Sequence, residues 1–312
     1  MKIKSAGIRR KGSLQTADTI SMTAMCLIPA VFIFLFSYVP MFGIVLAFKN
    51  FRYDQGIWGS AWVGLKNFQL LIKTGKLALL VRNTVCLNLL FMAVGTISAV
   101  AVAILLFEVK KRIKVKIYQT LMLLPYFISW VIVSYISYAL LNPASGVLNQ
   151  LLTVIGMKPI DWYGDPKYWP WILSIASVWK GVGYGSVVYY AALMGLDSTY
   201  FEAARIDGAS KWQEIRYITL PSLVPIITIQ TVLGIGSIMR ADFGLFYQVT
   251  RNVGTLYPVT DVLDTYIYRL LLEQNNVTIS SAASLLQSVV GCTMVLITNW
   301  IVTKVEPDNA VI

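Results

Sequence analysis

The chain has 312 residues, of which 57% are hydrophobic and 13% are charged, and its mean hydropathy is +0.66. Because soluble domains average about 25% charged residues, this composition predicts a polytopic membrane protein with one membrane domain. The sequence has no histidine, which excludes His-based acid–base catalysis and His-ligated metal sites. We therefore expect neither a catalytic centre nor a metal on this chain.

The distribution of charge favours a membrane environment over nucleic acid. The net charge is +11, yet the basic residues cluster in short segments beside apolar runs, as they do in membrane proteins. No basic face with interleaved aromatic residues is present, so we expect membrane lipid as a partner and no nucleic acid. Cys26, Cys86 and Cys292 lie in separate apolar runs, and we expect each to be buried.

Six apolar runs follow a basic N-terminal segment, residues 1–19. The first run, Ile20–Phe48, is too long for a secretory signal and lacks an A-x-A cleavage site, so we predict a retained span. Each run is long enough to cross a hydrocarbon core of about 30 Å as a helix. The sequence therefore predicts an all-α membrane domain over residues 20–303, followed by a tail, 304–312. The predicted spans are 20–48, 77–107, 117–141, 168–193, 221–239 and 281–302.

The connections between these runs predict the orientation in the membrane. Six spans place both termini on one side, and cations are densest on that side, above all in Glu108–Lys116. The connections on the other side are longer, although the first of them, Asn50–Lys76, is also basic; the last contains a predicted interfacial helix around Val262–Leu272. The excess of cations predicts cytoplasmic termini, so the connection 197–220 is cytoplasmic too.

This connection has the pattern of two short helices. Thr199-x-x-Glu202 matches a capping box, and Gly208 suits the left-handed residue that follows a helix end. A second capping box, Ser210-x-x-Gln213, predicts a second helix. We expect that helix to end at Pro221, because proline lacks the N–H of an interior helical residue.

The same connection carries a longer motif, Glu202-Ala203-Ala204, then Gly208, then Ile218-Thr219-Leu220-Pro221. This pattern resembles the EAA loop of type-I ABC importer permeases, in which the loop is a coupling helix that docks on a cytoplasmic ATPase. A capped hairpin that merely joins two spans is the simpler alternative, but the full motif between spans four and five favours the coupling interpretation. The predicted coupling residues are Glu202, Ala203, Ala204, Asp207, Gly208, Ile218, Leu220 and Pro221.

Further segments extend the resemblance over nearly the whole chain. Gly64–Phe68, Arg82–Thr84, Trp179–Gly183 and Arg205–Ser210 are similar to segments of permeases of the carbohydrate uptake type 1 family. Tyr38-Val-Pro-Met-Phe-Gly43 resembles the branch that serves complex oligosaccharides in Gram-positive bacteria.

The resemblance implies a type-I importer permease that works by alternating access. It implies a location in the plasma membrane of a Gram-positive bacterium. It implies a heterodimer with a second related permease, two copies of a cytoplasmic ATP-binding subunit and an extracellular solute-binding lipoprotein. The chain contains no G-x-x-x-x-G-K-[ST] motif, so ATP and Mg²⁺ are expected on the partner ATPase and no cofactor on this chain.

The fourth and fifth spans carry the candidate substrate pathway. Lys180 lies near the middle of a span, and charges there usually face a cavity, although a lysine near a span end can extend to the surface. Ser177 and Tyr184 share its helical face. The resemblance implies that Gly181 and Tyr184 line the sugar path, with Lys180 in place of an apolar residue. The predicted pathway residues are Ser177, Lys180, Gly181, Tyr184 and Ser237.

Two alternatives stay open at the level of sequence. The EAA motif also fits a permease for a peptide, an amino acid or an anion. An ion-coupled secondary transporter is a weaker alternative, because the core of the predicted spans has no Asp or Glu to carry a coupling proton.

Overall fold

The computed structural model of the chain describes residues 9–305, and most of these residues are helical. Residues 1–8 of the predicted N-terminal segment and 306–312 of the predicted tail lie outside the described residues. The helices are α1 (Arg9–Ile33), α2 (Gly56–Gly59), α3 (Lys66–Lys73), α4 (Lys76–Phe107), α5 (Arg112–Leu123), α6 (Trp130–Leu141), α7 (Val147–Val154), α8 (Trp169–Met194), α9 (Ser198–Ile206), α10 (Lys211–Glu214), α11 (Leu220–Gly236), α12 (Tyr257–Thr260), α13 (Leu263–Tyr268) and α14 (Val277–Val305).

Helical turns of other pitch lengthen several of these helices. A π-helical turn, Phe34–Tyr38, and a 3₁₀ segment, Val39–Phe48, continue α1. Further π-helical turns are Ile215–Thr219, Gly244–Val249 and Arg269–Glu273, the last of which extends α13 across the predicted interfacial helix. Shorter 3₁₀ turns are Leu124–Phe127, Pro166–Tyr168 and Gly254–Leu256. Strands β1 (Lys49–Asn50) and β2 (Ala61–Trp62) pair antiparallel, with Lys49 opposite Trp62.

Four helical segments of the described chain are long and apolar enough to cross a membrane. They are Ser21–Phe48, Lys76–Phe107, Lys211–Gly236 and Val277–Lys304, and they coincide with the first, second, fifth and sixth predicted spans. Helix α8 coincides with the fourth predicted span and is about 39 Å long at 1.5 Å per residue. Its glycines, tyrosines and Lys180 lower its hydropathy, and it is not among these four. Helix α8 packs along α4, in the most extensive contact between two helices of residues 9–305.

The third predicted span, 117–141, is corrected by the structure. Two helical segments, Arg112–Phe127 and Trp130–Leu141, replace the single helix and meet at 94°. Pro125 lies in the 3₁₀ turn before the break, and Ile128 is extended. The Ser129 side chain then accepts the backbone N–H of Ile132 and starts α6. A proline followed by an N-cap residue thus ends one helix and begins the next.

The expected end of a helix at Pro221 is also wrong. One continuous segment, Lys211–Gly236, runs through this proline. The π-helical turn Ile215–Thr219 precedes it, and the Leu220 N–H donates to the Ile215 carbonyl. Pro221 therefore occupies the first turn of α11, where an N–H is not needed by the helix that begins there.

Cys26, Cys86 and Cys292, which we expected to be buried, are exposed. The side chains of the first span are exposed almost throughout, and Met25, Phe32 and Phe36 are more than half exposed. An outward apolar face is suited to lipid, where the bilayer replaces the protein core as the apolar surroundings.

Three clusters of buried side chains fix the two ends of the long helix α4. Leu80 belongs to a cluster with α13 and α14, and Leu87 to a cluster with α6, α8 and the turn Gly244–Val249. Ala99 and Ala103 pack with α8 and α11 near the other end. Asn83 donates to the carbonyl of Asp261, whereas Phe107 packs on the ring of Phe201 in α9, 5.6 Å away. The connection 197–220 and residues 258–263 therefore lie at opposite ends of α4.

Candidate functional site

Helix α9 contains the first half of the EAA motif, and Asp197 caps it. The carboxylate of Asp197 accepts the backbone N–H of Thr199 at 2.9 Å, and this hydrogen bond lowers the pKa of Asp197. The expected capping box of Thr199 and Glu202 is therefore wrong, because α9 begins at Ser198. Glu202 lies in the middle of α9 with its side chain exposed, and its carboxylate is not used as a cap.

The turn after α9 follows the expected design. Gly208 has a φ of +76°, in the left-handed region that glycine adopts without strain. The N–H of Gly208 donates to the Arg205 carbonyl and that of Ala209 to the Ala204 carbonyl, which is the Schellman pattern. The next helix begins with the predicted capping box: the Ser210 N–H donates to Gln213, and the Gln213 N–H donates to Ser210.

One face of α9 is open to solvent. Glu202, Ala203, Asp207 and Gly208 are exposed, and Ala204 is half-buried. Ile206 is 86% exposed and Tyr200 is 64% exposed. A small exposed helix with Ala at its centre and apolar residues at its edges lets a partner backbone approach closely. Ile218 and Leu220 are half-buried and Pro221 is exposed, so the second half of the motif forms the start of the fifth span.

A cluster of ion pairs holds α9 to the fifth span. Glu214 is only 2% exposed, and its carboxylate accepts hydrogen bonds from Arg205 at 2.9 Å and from Lys211 at 2.7 Å. Lys211 also pairs with Glu108, the residue that follows α4, at 3.0 Å. The cluster thus connects α9, the start of the fifth span and the end of the second.

Three of the predicted pathway residues line one groove. Ser177, Gly181 and Tyr184 of α8 face Gly95 and Thr96 of α4 across a volume of about 310 Å³, with Gln230 of α11 at its edge. Tyr184 stacks on Tyr126 with ring centroids 4.8 Å apart. The walls are mostly apolar, with hydroxyl and amide groups at a few positions, as in sites that orient a ligand through a small number of polar contacts.

The other two predicted pathway residues lie elsewhere. Ser237 lines a separate groove of about 440 Å³ between α11 and α14, together with Arg240 and Gln287. Lys180 does not line either groove. Its ammonium donates to the carbonyls of Tyr126 and Ile128, beside the break between α5 and α6.

No group of three Cys, Asp or Glu side chains within residues 9–305 is arranged to hold a metal ion. The geometry instead combines a rigid exposed helix at one end of α4 with grooves along α8 and α11. A family model described as a binding-protein-dependent transport system inner membrane component matches residues 92–310. The chain belongs to this family.

Curated relatives agree with this membership. The polygalacturonan/rhamnogalacturonan transport system permease protein YteP of Bacillus subtilis is 33% identical over 280 residues, which cover 90% of this chain and 87% of that protein. Protein LplB of the same organism is 32% identical over 91% of this chain and 89% of its own length. The permease described here is thus a multi-pass membrane protein of an ABC importer.

A solved structure has the same fold. A chain in the crystal structure of a bacterial ABC transporter involved in the import of the acidic polysaccharide alginate aligns with a TM-score of 0.84 and 31% identity. The alignment covers 95% of this permease and 99% of that chain. A second structure of the alginate transporter, in complex with an alginate pentasaccharide-bound periplasmic protein, aligns with a TM-score of 0.83 over 93% of this permease and 96% of that chain.

The ion pairs of Glu214 were not predicted from the sequence. The spacing of Lys211 and Glu214, three residues apart on a helix, was a visible signal for one ion pair. The contact of Glu214 with Arg205 crosses the Gly208 turn, and the contact of Lys211 with Glu108 joins residues 103 positions apart. Neither follows from local spacing.

Proposed function

We propose that this permease forms, with a second related permease, the path by which an oligosaccharide enters the cell. Its six spans place both termini in the cytoplasm, and the host membrane is the plasma membrane of a Gram-positive bacterium. The observation that carries the proposal is the exposed face of α9, with Glu202 and Ala203, fixed by the Gly208 turn and joined to the spans through Glu214. Family membership supports it, as does the similarity to the polygalacturonan/rhamnogalacturonan transport system permease.

The partners follow from what the chain lacks. Without a phosphate-binding loop the permease cannot cradle ATP, so two copies of an ATP-binding subunit supply ATP, Mg²⁺ and hydrolysis. The exposed face of α9 docks on one of them. An extracellular solute-binding lipoprotein delivers the sugar, in line with the periplasmic protein bound to the alginate transporter. Closure of the ATPases moves α9 and tilts the spans around the sugar in alternating access.

Two variants of residues 197–220, which we call the coupling segment, test this proposal. Glu202→Lys reverses an exposed charge on α9, and Gly208→Asp puts a side chain on a backbone with φ +76° that disfavours it. We expect each variant to insert into the membrane normally. ATP-driven oligosaccharide uptake should fall about tenfold or more, because the proposed transport cycle needs α9 docked on the ATPase.

The matched control is Lys114→Glu, a charge reversal at an exposed position of α5 on the same side of the permease. Uptake is measured in cells or in vesicles with the complete transporter, and membrane insertion by fractionation. Wild-type uptake by the Glu202→Lys variant would overturn the coupling role. Uptake that persists in vesicles without ATP would favour an ion-coupled transporter instead.

A further inference from the structure

A polar groove of about 340 Å³ lies between α6 and the turn Gly244–Val249, apart from the grooves that hold the predicted pathway residues. We call it the Arg251 groove. Its walls include Ser134 and Tyr135 of α6, Tyr247 and Gln248 of the turn, and the next residues Arg251 and Asn252. The ring of Phe246, in the same turn, packs on Phe91 of α4. Phe91 is about 24 Å along the helix from Phe107, so the groove lies far from the coupling segment.

The backbone that presents Arg251 is in an unusual conformation. Arg251 has a φ of +55° and Asn252 a φ of +51°, two consecutive non-glycine residues in the left-handed region. Such a backbone costs free energy and persists only where its surroundings hold it, as they do at ligand sites. The side-chain oxygen of Asn252 accepts hydrogen bonds from Arg269 at 3.1 Å and from Tyr257 at 3.0 Å. The side-chain NH₂ group of Asn252 donates to Glu273.

The walls of the groove are also fixed. The Ser134 hydroxyl donates to the Gln248 carbonyl at 2.6 Å, and the Trp130 indole donates to Asp242 at 2.8 Å. A Cβ added to Gly244 would lie 2.2 Å from the Trp130 ring, so the turn lies directly against α6. The groove is therefore a preorganised cavity, and its shape does not depend on a mobile loop.

The charge of Arg251 has no counter-ion among the described residues. Its guanidinium stacks on the Tyr138 ring, 4.1 Å from the centroid, and the side chain is exposed. The neighbouring carboxylates bond other groups: Asp242 accepts from the Trp130 indole, Asp261 pairs with the buried Arg269, and Glu273 accepts from Tyr247 and Asn252 in the groove wall.

We propose that the Arg251 groove is a subsite for the carboxylate of an acidic sugar residue, so that the substrate is a uronate-containing oligosaccharide. A planar guanidinium matches a carboxylate with two parallel hydrogen bonds. Stacking on Tyr138 holds that plane in place. The exposed ring of Tyr135 offers an apolar face to a pyranose, and Gln248 and Asn252 add side-chain amides to the groove wall. This inference rests on the proposed function, since it concerns which oligosaccharide the permease admits.

Direct binding to the transporter in nanodiscs, without its solute-binding protein, tests the subsite. The probes are trigalacturonate and the neutral trisaccharide of galactose with the same linkage. Their binding is measured by saturation-transfer NMR. We expect trigalacturonate to bind the wild type and the neutral trisaccharide to bind at least about tenfold more weakly. Arg251→Gln should weaken trigalacturonate binding about tenfold, and Arg251→Lys by less, because a lysine keeps the charge without the planar donors.

The matched control is Lys158→Gln, which removes one charge from an exposed position in the connection before α8; binding should be unchanged. Equal binding of trigalacturonate to wild type and Arg251→Gln, equal binding of the two probes, or no binding of trigalacturonate would each overturn the proposal. Folding is followed by thermal unfolding of each variant, and Arg251→Lys keeps the test valid if Arg251→Gln unfolds.

Uptake by the complete transporter separates this inference from the proposed function. If Arg251→Gln reduces uptake of acidic and neutral sugars alike and weakens association of the loaded binding protein, Arg251 is a docking residue and the subsite is overturned. If the wild type takes up no oligosaccharide in an ATP-dependent way, the proposed function fails, whatever the nanodisc measurement gives.

Discussion

Lys180 shows how one charged side chain in a span can serve the fold. The chain breaks between α5 and α6, and a break leaves carbonyl groups without helical partners. The ammonium of Lys180 donates to the carbonyls of Tyr126 at 2.7 Å and of Ile128, and it lies 5.3 Å from the centroid of the Trp130 ring. Its position thus joins α8 to both sides of the break. A role in the substrate pathway, expected from its charge, stays a prediction.

Replacing Lys180 separates these two roles. Lys180→Met removes the donor from carbonyls that lie beside the break, and hydrogen bonds to charged groups contribute about 1.5–3 kcal/mol each. We expect the purified transporter to unfold at a temperature several degrees lower, while Lys180→Arg keeps most of the stability. The measurement is thermal unfolding in detergent. An unchanged unfolding temperature combined with weaker sugar binding would instead make Lys180 a ligand.

At the scale of elements, helix α8 is shaped by its glycines. Gly183 is buried, and a Cβ there would lie 2.0 Å from the Met122 carbonyl oxygen of α5. Gly185 faces Ala99 of α4, where a Cβ would come within 3.3 Å. A Cβ on Gly181 would meet no neighbouring atom, and Gly181 lines the groove with Ser177 and Tyr184. Small residues therefore set the helix spacing on two sides of α8, and a third glycine leaves room on the side of the groove.

A pair of alanine substitutions tests this division. Gly183→Ala must push α5 away from α8, and overpacking of this kind costs about 1–3 kcal/mol. Gly181→Ala meets no neighbouring atom, and alanine is about 1 kcal/mol better than glycine inside a helix. Thermal unfolding should therefore show a loss of stability for Gly183→Ala and no loss for Gly181→Ala. Equal unfolding temperatures would mean that the close approach of α5 and α8 is not needed.

At the scale of the whole molecule, Glu214 connects the coupling segment to the membrane domain. Its buried carboxylate lies between Arg205 of α9 and Lys211, which reaches Glu108 at the end of α4. The rings of Phe201 and Phe107 pack beside this cluster. The cluster thus ties α9 to the ends of the second and fifth spans, and in the proposed function a displacement of α9 would be passed on to both spans together.

Glu214→Gln tests this connection. Loss of one partner of a buried pair costs about 3–5 kcal/mol when all the charges are buried. Arg205 and Lys211 are 56% and 57% exposed, so solvent screens their charges. We therefore expect Glu214→Gln to lower the free energy of unfolding by only about 1–2 kcal/mol. We expect ATP hydrolysis to continue while oligosaccharide uptake falls several-fold. Glu108→Gln, at the exposed edge of the cluster, is the control and should change uptake little; an equal effect of both would argue against a special role of Glu214.

Local patterns of the sequence determined much of the coupling segment. The left-handed Gly208 and the capping box of Ser210 and Gln213 depend only on residues within one turn, and both are present as predicted. The first two apolar runs became helices with nearly the predicted bounds, Ser21–Phe48 and Lys76–Phe107, because hydrophobicity and length suffice to specify such a span. The N-cap of α9 is Asp197, two residues before the expected Thr199, because the aspartate carboxylate accepts the free N–H of Thr199.

Only the tertiary structure decided how these elements serve one another. The partner of Lys180 lies more than 50 residues away, and that of Glu108 more than 100, so no local pattern contains either contact. The same holds for the division of Ser177 and Ser237 between two grooves and for the groove around Arg251. The sequence by itself determined the first two spans and the turn at Gly208, because these depend on apolar length and local propensity. Packing between distant helices decided where charges find partners and where cavities remain open.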